Sequence, residues 1–281
     1  MQRAFDMQAF LMSALQEDVG SGDITSNAVI PDTHIGQFVL ASREPMVLAG
    51  GVFLPMLFKI IDDRIALEVQ VADGTVLPGG SVIATLSGPV RGIFIGERVA
   101  LNLLQHLSGI ATETRRYVEA TKGTSARITD TRKTLPGWRE LQRYAVRSGG
   151  GYNHRIGLDG GILIKDNHLA IAGSIHAAIQ EARWQTPMMM RVEVECDTLA
   201  QVEEAIAAGA DILLLDNMPI DQMQQAVARA KAAHILTEAS GNVTLETVRA
   251  IAETGVDAIS IGRITHSVRA VDIGMDAVTS G

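Results

Sequence analysis

Cysteine is almost absent from this chain of 281 residues; Cys196 is the only one. A single thiol excludes an intrachain disulfide and any cysteine-based zinc cluster, and it fits a reducing compartment. Cys196 lies beside Val194 in an apolar stretch and reads as a buried filler. Aromatic residues make up 4% of the chain, while 47% of it is hydrophobic and glycine occurs 27 times. That aliphatic, glycine-rich balance suits an α/β enzyme better than a β-sandwich. No apolar run approaches the ~20 residues that a membrane helix needs. The first residues carry neither an apolar signal core nor a cationic lead. The expectation is a soluble, cytoplasmic protein with no membrane partner. Positive charge is not in excess either: the formal net charge is −8, which disfavours nucleic acid as a partner. No GxGxxG follows a strand pattern, and no GxxxxGK precedes Ser or Thr, so a dinucleotide fold or a P-loop has no support. HExxH and a Ser-His-Asp elbow are also missing.

What is present is rhythm. The length allows one large α/β barrel, or a barrel with a smaller domain. Residues 5–15 place Phe5, Ala9, Met12 and Leu15 at helical spacing, and EDVGSGDIT at 17–25 reads as a loop. Residues 35–90 contain alternating strand patterns around turn signals such as Asp73-Gly74 and Pro78-Gly79-Gly80, with an apolar helix at 52–61. Residues 1–112 therefore form an α+β domain with a curved antiparallel sheet. A long helix is expected from residue 94 to about 122, bent near Ser108-Gly109. Its Arg98, Asn102 and Gln105 fall on a polar stripe that spacing alone assigns to solvent.

After Gly123, six short apolar strands alternate with helices: 127–129, 162–164, 191–195, 212–215, 235–237 and 258–261. Such repeats imply parallel strands with right-handed crossovers. The fold class expected is α/β, with an N-terminal α+β sandwich domain and an incomplete, six-stranded α/β barrel over 113–270. Each strand ends in polar or glycine residues, which a barrel gathers on one rim. These are Asp130, Thr131, Arg132 and Lys133; Lys165 and Asp166; Glu195; Asp216 and Asn217; Glu238, Ser240 and Gly241; and Gly262 with Arg263. In the 191–195 strand the valines share one face and Glu193 and Glu195 the other, so the glutamates point inward. Ser240-Gly241 and Gly262 precede helical segments, starting near Thr244 and Thr265, and could offer main-chain N–H groups to a phosphate.

Charge sharpens this picture. Residues 127–168 hold eight Lys or Arg against four acids, a +4 island in a chain of net charge −8. Such an island suits a small, highly charged anion. Arg139, Arg143 and Arg147 stand at helical spacing and read as a solvated face, leaving Arg132, Lys133, His154, Arg155 and Lys165 to be explained.

At these residues the sequence closely resembles the quinolinate phosphoribosyltransferase family, also called carboxylating nicotinate-nucleotide diphosphorylases, of de novo NAD synthesis. The resemblance rests on EDVGSGDIT (17–25), ERVALNLLQHLSGIAT (97–112), DTRKTLPGWR (130–139), YAVRSGGGYNHRIGL (144–158), LIKDNH (163–168), VEVEC (192–196), GADILLLDNM (209–218), EASGN (238–242) and TGVDAISIG (254–262). It implies a tail at about 271–281 that returns to the first domain. It implies a homodimer in which Arg98 reaches the partner's site, which overturns the solvent reading of that stripe. The implied reaction joins quinolinate and phosphoribosyl pyrophosphate, with Mg2+, to give nicotinate mononucleotide, pyrophosphate and CO2. The resemblance implies Arg98, Arg132, His154, Arg155 and Lys165 for quinolinate, with Lys133 nearer the pyrophosphate. Glu195 and Asp216 would hold the ribose, directly or through Mg2+. Thr131, Ser240, Gly241, Asn242, Ile261, Gly262 and Arg263 would line the phosphate side. The implied catalytic set is Lys133, Lys165, Glu195 and Asp216. Two features depart from the family pattern: Arg263 stands where a small residue is usual, and Asp159-Gly160-Gly161 loosens the loop before LIKDNH. The rivals are a paralogue linked to molybdate uptake, an enzyme acting on nicotinate without decarboxylation, a Schiff-base aldolase using Lys165, and a silent nucleotide-binding protein. The intact DTRKT, NHR and LIKDNH sets stand against the first, and the number of cations stands against the second.

Overall fold

The structure, a computed structural model, describes residues 5–278. Among them no helix is long and apolar enough to cross a membrane. The chain divides into two compact units: one contains the described residues up to Glu113, Pro136–Gly150 and the described residues from Ser267 on, and the other contains Thr114–Leu135 and Gly151–His266. The sequence boundaries at 112 and 270 do not anticipate that Pro136–Gly150 groups with the first unit.

The first unit opens with α1 (Met7–Val19), capped by Asp6 accepting from the Ala9 N–H, and α2 (Ile24–Val29), capped by Asp23. An Asp at the N-cap satisfies one of the four orphan N–H groups of a helix start. The expected loop at 17–25 is thus shorter: Gly20 and Gly22, both at positive φ, turn the chain between two capped helices. There follow β1 (Ile35–Ser42), β2 (Met46–Val47), α3 (Leu54–Ile61), β3 (Ala66–Val69), β4 (Val76–Leu77), β5 (Val82–Pro89) and α4 (Val90–Ala120). β1 pairs antiparallel with β5, and β5 with β3. On its other edge β1 takes the late strand Ile273–Ala277, so the described part of the tail belongs to this sheet; residues 279–281 lie outside the described residues. Leu40, Leu54, Leu57, Phe58, Ile83 and Ile93 are buried, each stabilising by about 1.5–3 kcal/mol. α4 continues as one helix through Ser108-Gly109. A Cβ on Gly109 would collide with the Arg269 carbonyl oxygen, so glycine admits a close main-chain approach.

The second unit is built on β6 (Arg127–Thr129), β7 (Ile162–Ile164), β8 (Val192–Cys196), β9 (Ile212–Asp216), β10 (Leu236–Ser240) and β11 (Ala258–Ser260). They form one parallel sheet in the order β6-β11-β10-β9-β8-β7. β6 and β7, its two ends, share no ladder; β6 instead meets Tyr152 through one bridge at Thr129. The barrel is six-stranded and incomplete. β10 reaches Ser240, three residues past the expected end, because its pairing with β9 continues to Ser240 opposite Asp216. Val192, Val194 and Cys196 are fully buried on one face of β8, which leaves Glu193 and Glu195 for the other. Helices between the strands start at real caps, Ser174 before Ile175–Gln185 and Thr198 before Leu199–Ala208.

Candidate active site

The strand ends of the second unit enclose a cavity of about 380 Å³. Thr131, Arg132, Lys133, His154, Arg155, Lys165, Glu195, Asp216 and Ser240 line it, with Leu163, Leu214, Glu238 and Ser260. Nine of the fifteen residues singled out from the sequence therefore converge. The parallel register explains this: Leu163 lies opposite Glu193, Glu195 opposite Leu214, and Ser240 opposite Asp216. Every second residue of each strand shares the inward face, so the rim is assembled by alternation.

Lysine and arginine here are held by named partners. Lys165 Nζ donates to Glu195 Oε2 at 2.8 Å, and the Lys165 main-chain N–H donates to His168 Nδ1 at 2.9 Å, within the LIKDNH motif. Arg155 Nη1 donates to the Gly161 carbonyl at 2.7 Å. Burial, and then Arg132, lower the Arg155 pKa, since both disfavour a second positive charge there. Thr131 Oγ1 accepts from the Lys133 N–H at 3.0 Å, and the Lys133 carbonyl accepts from Thr265 at 2.7 Å.

The segment carrying His154 and Arg155 has no helix and only one bridge. Asp130, fully buried, accepts from the Asn153 amide at 2.6 Å and from the His154 main-chain N–H at 2.7 Å. Below, His154 Nε2 lies 3.2 Å from Glu238 and 3.6 Å from Glu193. Both glutamates are buried, and Oε1 of each has no hydrogen-bond partner. Burying a carboxylate costs on the order of several kcal/mol, and burial raises the Glu193 pKa. Glu193 and then Glu238 pull the imidazole up to about 10. Opposing that pull, His154 Nδ1 accepts the Arg155 N–H at 2.8 Å, which a protonated Nδ1 could not do. The main-chain bond sets the Nδ1 side of the ring, so Nε2 is the nitrogen that presents a proton to the glutamates.

The glycine loops differ from expectation. The helix after Ser240-Gly241-Asn242 begins at Val248 instead of near Thr244, and the one after Gly262 is the four-residue Arg263–His266. Neither brings a strong helix dipole, so any phosphate here would depend on local N–H groups and cations. Gly241 sits at φ +91° against Asn217, and Asn242 Nδ2 donates to Asn217 Oδ1 at 2.9 Å. Asn217 and Asn242 both have positive φ, so the loops after β9 and β10 are clamped together. A Cβ on Gly262 would lie 2.9 Å from the Lys133 side chain, so this glycine leaves room for the lysine. Arg263 is exposed and, like Gly241, Asn242, Ile261 and Gly262, is not part of the cavity wall.

Arg98 lies in the first unit, exposed, in a separate cavity of about 340 Å³ with Glu17, Asp18, Asn102 and Trp138. The solvated-face reading of Arg139, Arg143 and Arg147 fails for Arg143, which is buried. Helical spacing alone does not say which face of Arg139–Ser148 is covered. Sequence reasoning placed Asp130, Asn217 and Glu238 at strand ends without giving them a role, and it missed Asn153. Asp130 resembled an ordinary N-cap, and Glu238 fell past the expected end of its strand.

A parallel α/β barrel whose mouth sets fixed guanidinium and ammonium groups beside carboxylates defines a class: an enzyme acting on a small polyanion. Two family models, for the N-terminal and the C-terminal domain of quinolinate phosphoribosyl transferase, match residues 23–108 and 110–276. The chain is 46% identical over 264 residues to the probable carboxylating nicotinate-nucleotide pyrophosphorylase of Bacillus subtilis, covering 94% of this chain and 91% of that one. It is 45% identical over 268 residues to the corresponding Mycobacterium leprae protein, covering 94% of each. The crystal structure of the nicotinate-nucleotide pyrophosphorylase from Ehrlichia chaffeensis superposes with a TM-score of 0.92 at 39% identity, over 99% of this chain and 100% of that one. The chain belongs to the quinolinate phosphoribosyl transferase family.

Proposed function

We propose that the chain transfers the phosphoribosyl group of phosphoribosyl pyrophosphate to quinolinate, with decarboxylation, to give nicotinate mononucleotide, pyrophosphate and CO2. The observation that carries the reading is the convergence of Arg132, Arg155 and Lys165 with Glu195 and Asp216 in one cavity. Quinolinate is a dicarboxylate, and planar guanidinium groups bind carboxylates in pairs of parallel hydrogen bonds. Glu195 and Asp216 suit the ribose hydroxyls and the positive charge that develops at C1 as pyrophosphate leaves. The pyridine nitrogen supplies the electron pair for the new C–N bond. The resulting pyridinium accepts the electrons of the breaking C2–carboxylate bond, and C2 then takes a proton, so no dedicated base is needed. Catalysis is chiefly positioning and electrostatics.

Magnesium is expected to accompany the pyrophosphate. Glu195, Asp197 and Asp216 each bring a carboxylate oxygen to within 4.8 Å of the others, the hard donors this ion takes. Bound there, it would offset phosphate charge. The active form is a homodimer in which Arg98, presented on an exposed helix face, completes the partner's quinolinate site.

Incubation with quinolinate, phosphoribosyl pyrophosphate and Mg2+ should release CO2 and nicotinate mononucleotide in equal amounts; absence of both overturns the reading. For the dimer, mixing Arg98→Ala chains with Lys165→Ala chains should restore one intact site per heterodimer. Confirmed heterodimers without recovered activity would place Arg98 in its own subunit's chemistry or outside it.

A further inference from the structure

Glu193 and Glu238 have no place in the proposed reaction, yet they are buried in the barrel, Glu238 at the cavity wall, with an unpartnered oxygen each. A structural ion pair would be arranged to satisfy those oxygens. What the pair does satisfy is His154: Glu238 lies 3.2 Å and Glu193 3.6 Å from Nε2. The other ring nitrogen, Nδ1, accepts the Arg155 N–H at 2.8 Å. A neutral imidazole has one proton, and with Nδ1 occupied as an acceptor that proton is on Nε2, directed at the glutamates.

We propose that Glu193 and Glu238 are positioning residues: through the His154 ring they fix the Arg155 main chain, and so the guanidinium that faces the cavity. The segment needs such a device. From Gly151 to Ile156 it has no regular structure; Asp130 fixes its start, at Asn153 and His154, and nothing equivalent reaches Arg155. Arg155 is then held at two points, its N–H on the ring and its Nη1 on the Gly161 carbonyl, in a loop rich in glycine. The charged groups around the pair are His154, Arg155 and, beyond it, Arg132. The kinetic part of the proposal rests on the quinolinate reading; the structural part does not.

The test compares Glu238→Met, which removes the nearer acceptor at similar size, with Glu238→Gln, whose amide oxygen can still accept. In wild-type protein, nitrogen-15 spectra of the His154 ring should show Nε2 protonated and Nδ1 bare; a protonated Nδ1 overturns the proposal. Hydrogen exchange at the Arg155 amide should quicken about tenfold in Glu238→Met and return close to wild type in Glu238→Gln. With substrates, Glu238→Met should raise KM for quinolinate about tenfold, leaving kcat and the KM for the phosphoribosyl donor within about threefold. An unchanged Arg155 amide, or equal losses in every kinetic constant together with a lower Tm, would overturn it. If wild-type protein does not turn over quinolinate, the functional reading fails, and the ring spectra and amide exchange still decide the positioning.

Discussion

Asp73, in the first unit, accepts from the Gly50 N–H at 3.0 Å, the Gly51 N–H at 2.9 Å and the Tyr144 hydroxyl at 2.6 Å. Glu193 and Glu238, in the second, share one imidazole between them and each leaves an oxygen unpartnered. The first carboxylate is half-buried, and the second pair is buried. One is fully satisfied and ties a loop to a helix; the other is left short of partners beside a cavity. The difference separates a carboxylate that contributes stability from a pair whose cost is tolerated for what it positions. The same contrast holds among the cations. Arg43 and Arg64 of the first unit close ion pairs with Asp276 and Asp62. At the barrel mouth, burial and then the nearby Arg132 lower the Arg155 pKa instead, as desolvation beside a like charge does.

The comparison can be broken at either end. The largest effect is expected from Asp73→Ala, which removes three hydrogen bonds at once. It should cost about 3 kcal/mol of stability, read from urea midpoints, and leave KM for quinolinate as it was. A loss under about 1 kcal/mol would remove Asp73 from its structural role. Next come Arg132→Ala and Lys165→Ala. Each should weaken quinolinate binding by roughly 1.5–3 kcal/mol, the scale of a charged hydrogen bond. Stability should stay within about 1 kcal/mol, because Lys165 is half-exposed and its bond to Glu195 is screened. Calorimetric titration returning unchanged affinity would count against their assignment. The smallest effect concerns His106, whose pKa is lowered by burial and whose ring nitrogen lies 2.9 Å from the Gln142 amide. Its folded pKa is depressed, so below about 6.5 the unfolded chain binds more protons and stability falls with pH. Thermal melts between pH 8 and 5 should show wild type losing more Tm than His106→Gln. Parallel losses in the two proteins would show that another group dominates.

Much of the site could be read in the sequence because of one geometric rule. Side chains alternate along a strand, and a parallel barrel places every strand's C-terminal end on one rim. A reader who finds Lys165, Glu195 and Asp216 at strand ends can therefore bring them together without coordinates. The rule stopped where regular structure stops. His154 and Arg155 have no periodicity to fix their direction; charge marked them as unexplained, and the resemblance gave them a role. Asp130 and Asn153, which hold that segment, looked like an N-cap and a loop residue. Glu238 was marked at a strand end but not as buried, since local pattern cannot say how far a ladder with β9 will continue.

The sequence by itself determined the class of fold, the order of its elements and the list of charged groups that would meet. Those follow from local periodicity, from strand-end chemistry and from motifs long enough to be specific. Only the tertiary structure decided which groups are satisfied and which are left short. It set the Asn217–Asn242 clamp, the burial of Arg143, the delayed helix after Asn242 and the contacts of the His154 ring. Each of these depends on which face a neighbour covers and on distances of a few tenths of an ångström between residues far apart in the chain, and no local pattern encodes either.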